Sequence, residues 1–219
     1  MTESVKDFYK VIPKSLIKQY RNNHKCPIKH PFRCLISGPT SSGKTNIVCN
    51  ILKQMPDTFC NVLVCCKSKH EPLYEYLEMK LKDQIEFFEG VDAIPDLDTF
   101  KDYDQTLIVF DDLVNDKQNK IIDYFIRSRK IGRGFSCLYL TQSYYLTPKT
   151  IRNQCNYLIL LKSANNKDLN LILSENNILN LEYLRLIYKK CTNKDKNFLL
   201  ICHDNDDSKK FYHNFKNIK

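Results

Sequence analysis

The 219-residue chain has no tryptophan, only five glycines and three methionines, and no apolar run near the ~18 residues that a membrane-crossing helix needs. The absent tryptophan and sparse glycine argue against an aromatic-belted membrane protein and a glycine-rich fibre. Its first ten residues carry Glu3, Lys6, Asp7 and Lys10 with no apolar centre, unlike a secretory signal. Arginine is scarce too, with seven among the 34 basic residues. No repeats or low-complexity tracts occur, and a 42% hydrophobic share is too high for wholesale disorder.

What is present in quantity is cysteine and positive charge. Five of the ten cysteines, Cys34, Cys65, Cys66, Cys137 and Cys202, fall inside β-branched or aromatic runs that read as buried strands. There a thiol behaves as a small hydrophobe, and without a secretory signal a reduced, intracellular chain is expected. His24, Cys26, His30 and Cys34 lack a close Cys-x-x-Cys pair, which favours incidental loop residues over zinc ligands. The net charge of +9 leans towards a polyanionic partner. It is uneven: residues 83–104 hold eight acids and one base, net −7, so the rest of the chain carries +16. That acidic stretch reads as a solvated or subunit-facing surface.

Strands are expected at 32–37, 61–66, 85–88, 107–110, 136–141, 157–161 and 198–202. Helical spacing marks 43–54, 71–82, 116–130, 167–173 and 178–188, while 89–104 reads as a loop and the stretch from Asp204 as polar. Continuous apolar strands alternating with helices indicate an α/β fold whose mainly parallel sheet is covered on both faces. Residues 1–30 read as a lead-in segment and 31–219 as the domain.

Gly38-Pro39-Thr40-Ser41-Ser42-Gly43-Lys44-Thr45 satisfies G-x-x-x-x-G-K-[ST] between an expected strand and helix. In such a loop backbone N–H groups surround phosphate oxygens, helped by the positive end of the helix. Lys44 is expected to reach the β- and γ-phosphates of ATP, and the Thr45 hydroxyl to bind Mg²⁺. Asp111 ends the apolar run Leu107–Phe110, where an acid would complete the Mg²⁺ shell. Asp112 follows, placed to polarise water. Gln142 ends the next apolar run and would face the γ-phosphate. Arg133 and Arg152 flank that run and are candidates for a transition-state arginine delivered by a neighbouring subunit.

With these motifs placed, the sequence resembles the FtsK–HerA superfamily of P-loop ATPases. More narrowly, it resembles the genome-packaging ATPases of poxviruses, virophages and Maverick/Polinton-type elements. The matching residues are Pro31 through Thr45, Pro72-Leu73-Tyr74, Leu107 to Leu113, Gly132 to Ser136, Leu140 to Ser143, Ile151-Arg152-Asn153 and Phe198 to Leu200, over roughly 31–215. Asp112 departs from the superfamily's common glutamate, and Gly134 from a frequent histidine. The resemblance implies a RecA/FtsK-like P-loop NTPase, a three-layer sandwich that hydrolyses ATP with Mg²⁺. It further implies a homo-oligomeric ring of five or six subunits that moves double-stranded DNA into a preformed capsid. Capsid or vertex proteins would be partners, and the site of action the host cytoplasm (the virus factory) or the virion. Two alternatives stay open on the residues alone. A small-molecule or nucleoside kinase fits the length but lacks an obvious arginine-rich lid. A nucleotide-gated interaction module that does not hydrolyse ATP is kept open by the short Asp112.

Overall fold

Runs such as Leu107–Phe110 carry apolar side chains on both faces of an extended chain, so they can be satisfied only where both faces are covered. The structure, a computed structural model, describes residues 5–23, 25–163, 166–175, 181–205 and 209–218. The runs form β1 (Arg33–Ser37), β2 (Asn61–Cys66), β3 (Ile85–Glu89), β4 (Thr106–Asp111), β5 (Phe135–Thr141), β6 (Tyr157–Leu161) and β7 (Phe198–Cys202). With β8 (Phe211–His213) and β9 (Lys216–Asn217) they make one sheet in the order β3-β2-β4-β5-β1-β6-β7-β8-β9. Pairing is parallel from β3 to β6 and antiparallel from β6 onwards.

Successive side chains of each strand enter opposite cores. Ile36, Val109 and Leu140 pack with Ile47, Val48 and Ile51 of α1 (Lys44–Gln54) and with Tyr74 and Leu77 of α2 (Pro72–Leu81). Leu35, Phe110 and Tyr139 point the other way, onto α3 (Asn119–Arg127), α4 (Lys149–Gln154), α5 (Asn166–Glu175) and α6 (Leu181–Cys191). The result is a three-layer α/β sandwich of the kind the sequence implies.

Differences from the sequence reading have local causes. The expected helix 116–130 is α helix only over α3 and ends in a 3₁₀ turn at Ser128–Lys130. Its start is delayed because the Gln118 side chain donates to the carbonyls of Leu113 and Asp116, holding that stretch in turns. In the loop 89–104, two short 3₁₀ turns drive Ile94, Leu97 and Phe100 into the core. The acids between them stay outside, where Asp96 faces Lys120 and Asp98 faces Arg127. The short α4 and the β8–β9 hairpin carry no clear periodicity, and the hairpin turns through Asn214 at φ 55°. His24 and residues 178–180 lie outside the described residues.

All five strand cysteines are buried and free. Cys26 and Ile28 are buried in the α1-side core, so that core takes in side chains before residue 31. Upstream, Lys18 donates to the carbonyls of Lys130 and Gly132, and the Arg21 amide donates to Gln105. Among the described residues, no helix is long and apolar enough to cross a membrane.

Candidate active site

The β1–α1 loop is shaped by its glycines. A Cβ on Gly38 would lie 2.7 Å from both Leu161 Cβ and Ser42 Oγ, and Gly43 holds φ 100°. Gly38 N–H is tied to the Thr141 carbonyl at 3.1 Å, and Ser42 Oγ donates to the Pro39 carbonyl at 2.7 Å. Gly43 provides no side-chain cap for α1, whose first N–H groups have no intrahelical carbonyl, an arrangement suited to an anion. Lys44 Nζ folds back on the carbonyls of Gly38 and Pro39, 3.0 Å from each. Partial burial lowers its pKa, against the pull of Asp111, Asp112 and Glu71.

Because β5 lies between β1 and β4, the tips of the three strands stand side by side. In register, Ser37 pairs with Thr141 and Asp111 with Leu140, so the phosphate loop, the two aspartates and Gln142 leave the sheet at one edge. Thr40, Ser41, Lys44, Thr45, Asp111, Asp112 and Gln142 line one cavity of about 590 Å³ together with Glu71 and Lys196. Gln142 Nε2 donates to Asp112 Oδ1 at 3.0 Å, and Lys67 Nζ lies 4.0 Å from Asp112 Oδ2. Asp112 reaches this position through a left-handed turn at φ 56°. Asp111 is deeper. Burial raises its pKa, although the Tyr74 hydroxyl, donating to Oδ2 at 2.5 Å, and the Lys44 charge oppose this. Thr45 Oγ1 donates to Glu71 Oε2 at 3.2 Å.

Among the described residues, no three His, Cys, Asp or Glu side chains converge as a metal centre of their own. The donors at the cavity are instead hard oxygens, with Glu71, Asp111 and Asp112 facing Lys44. That set fits Mg²⁺, which takes one or two protein oxygens, substrate phosphates and water. Thr45 and Asp111 are the residues that would hold it.

The two arginines part company. Arg133 precedes β5 and Gln142 follows it, so they sit at opposite edges of the sheet, roughly 25 Å apart at ~3.3 Å per residue. Arg133 is 67% exposed and 3.5 Å from Asp104, which also pairs with Arg21 at 2.9 Å. Arg152 is only 9% exposed. It makes a two-pronged ion pair with Glu175 at 2.8 and 2.9 Å, stacks 5.1 Å over Tyr144, and donates to the carbonyls of Tyr144, Tyr145 and Thr147. Its donors are thus used within its own subunit. Sequence reasoning overlooked Glu71, Lys67 and Lys196. Only Glu71, at the mouth of an amphipathic helix, left any signal.

A sequence profile of the family described as "Poxvirus A32 protein" matches residues 19–212. No curated protein matches the chain by sequence. Among solved structures, the genome packaging NTPase B204 of Sulfolobus turreted icosahedral virus 2, in complex with sulfate, superposes with a TM-score of 0.60 at 14% identity, covering 81% of this chain and 94% of that one. A structure described as B204, the DNA-packaging ATPase from Sulfolobus turreted icosahedral virus, gives 0.60 at 13% identity, covering 81% and 95%. The pCW3 conjugation coupling protein TcpA gives 0.56 at 17% identity, covering 80% and 58%. At such identities these likenesses establish a shared fold, while the sequence match over most of the chain is specific: the protein belongs to the poxvirus A32 protein family.

Proposed function

We propose that this protein is an ATPase motor that packages double-stranded viral DNA into a preformed capsid. The observation that carries the reading is the placement of β5 between β1 and β4, which sets Gln142 between the phosphate loop and the aspartates and bonds it to Asp112. A phosphate cradle, a buried acid and a water-facing acid–amide pair at one strand edge suit transfer of a phosphoryl group to water. The B204 structures described as packaging NTPases include complexes with ATP-γS and AMPPCP.

In this reading Gly38, Pro39, Thr40, Ser41, Ser42 and Gly43 wrap the phosphates with backbone N–H groups. Lys44 exchanges the carbonyls of Gly38 and Pro39 for phosphate oxygens. Thr45 and Asp111 would hold Mg²⁺, which when bound would neutralise charge on the phosphates. Asp112 accepts a hydrogen bond from the attacking water, and Gln142 keeps both aligned as the bond from the γ-phosphorus to its bridging oxygen breaks. Arg133 cannot reach the cavity of its own subunit across the sheet, so it serves a neighbouring copy in a ring of five or six subunits. Arg152 braces its own subunit instead. The residues outside 83–104, net +16, supply the field for DNA phosphates. Capsid or vertex proteins dock the ring, and the work is done in the host cytoplasm or on the virion.

The test is turnover measured with and without duplex DNA over a range of salt, alongside the mass of the assembly. Turnover stimulated by DNA, with stimulation fading as salt rises, is expected. Phosphate transfer to a nucleoside would replace this reading with a kinase. Bound but unhydrolysed ATP in the assembled ring would replace it with a nucleotide-gated module.

A further inference from the structure

We infer that the first turn of α2 is a positioning device for the cation-binding residues, in which Tyr74 aims Asp111 and Glu71 aims Thr45. The inference rests on the reading of Thr45 and Asp111 as the residues that hold Mg²⁺. Glu71 is the extended N-cap residue of α2, and Tyr74 lies three residues on, in its first turn. This segment carries one bond to each residue read as a cation ligand: Tyr74 Oη to Asp111 Oδ2 at 2.5 Å, and Thr45 Oγ1 to Glu71 Oε2 at 3.2 Å.

The two bonds act differently. Tyr74 is 1% exposed and packs edge-on against Phe87 at 5.7 Å, so the core fixes where its hydroxyl points. Donation to Oδ2 pins the Asp111 carboxylate and leaves Oδ1 outside that bond. A threonine hydroxyl has one O–H and two lone pairs. With the O–H committed to Glu71, the lone pairs of Thr45 turn away from that carboxylate. Each bond therefore orients an oxygen donor before any cation is present. Partners of this kind, one bond removed from a metal, typically alter its affinity 10–100-fold. Glu71 makes no side-chain cap to α2, so this role is separate from helix capping.

The experiment is binding of a fluorescent, non-hydrolysable ATP analogue, titrated with Mg²⁺ and repeated in EDTA, on wild type, Tyr74→Phe and Glu71→Ala. Tyr74→Phe removes a single hydroxyl and keeps the ring in the core. The Mg²⁺ midpoint is expected to rise by roughly 10-fold in each variant, with affinity in EDTA unchanged. An unchanged midpoint, or an equal loss of affinity in EDTA, would overturn the inference. If Tyr74→Phe does not fold, Glu71→Ala decides it alone, because that side chain is only half-buried. Failure of the underlying site reading looks different, since wild type itself would then bind without any dependence on Mg²⁺.

Discussion

At the scale of single residues, position in the fold changes what a side chain can do. Lys44 sits partly desolvated on two carbonyls, which the proposed function has it trade for phosphate oxygens. Lys44→Ala is expected to lower turnover by at least ~100-fold, the usual cost of removing one preorganised donor to transition-state charge, as read by phosphate release. His30 shows the opposite use of burial. Its Nδ1 lies 2.7 Å from Ser136 Oγ, its Nε2 meets no hydrogen-bond criterion among the described residues, and burial, against a raising pull from the Arg133 backbone, pushes its pKa down to about 4. The unfolded chain, with an ordinary histidine near 6.5, therefore binds the extra proton first. The protein should keep this contribution above pH ~6.5 and lose it as pH falls towards 4, by up to about 3 kcal/mol. Denaturant melts at pH 7 and pH 4.5 check this, and His30→Gln should flatten the slope.

At the scale of elements, α5 is the clearest case of a helix whose purpose is invisible in its own pattern. Near its start, Asp168 is 4% exposed and accepts from Ser143 Oγ and from the amides of Tyr144 and Tyr145, just beyond Gln142. At its end, Glu175 takes the fork of Arg152 and the hydroxyl of Tyr144. The helix thus straps the loop after β5 to α4. Arg152→Ala leaves Glu175 largely buried without its cation, and should cost about 3 kcal/mol. For a chain this size that is a melting point lower by roughly 6–12 °C, measurable by calorimetry. Restoring stability with a second change, Glu175→Gln, would identify the pair as the cause. The seven longer strands were legible because each is a short apolar run. The hairpin of β8 and β9 was not, because its strands are three and two residues long, too short to show a periodicity.

At the scale of the whole molecule, the +9 charge divides into an acidic band and a basic remainder. The band is less bare than its composition suggests, since Lys120 and Arg127 of α3 face Asp96 and Asp98. Arg133 lies at the sheet edge away from the cavity, and the proposed ring has it act on another copy. Mixing Arg133→Ala with Lys44→Ala subunits should therefore give turnover above either pure mutant, because each supplies what the other lacks. An arginine of this class is commonly worth 10³–10⁵ in rate, so the rescue should be readily measured. The phosphate-loop residues, Asp111, Asp112 and Gln142 were all named from local sequence, and the structure gathers Thr40, Ser41, Gly43, Lys44 and Thr45 of the loop with the other three in one cavity. Arg152 was named as a candidate for a neighbouring subunit's site, and within its own subunit it is engaged by Glu175.

The amino-acid sequence alone determined that apolar runs would make a covered, mainly parallel sheet, and that one glycine-bounded loop would open a helix. Those are properties of neighbouring residues: propensity, periodicity and the freedom of glycine at φ > 0. Only the tertiary structure decided that β5 inserts between β1 and β4, that Tyr74 and Glu71 hold Asp111 and Thr45, and that Glu175 claims Arg152. Apolar strands of similar composition do not encode which of them will be adjacent. A charged or hydroxyl side chain likewise finds its partner only after the sheet order has brought distant segments together.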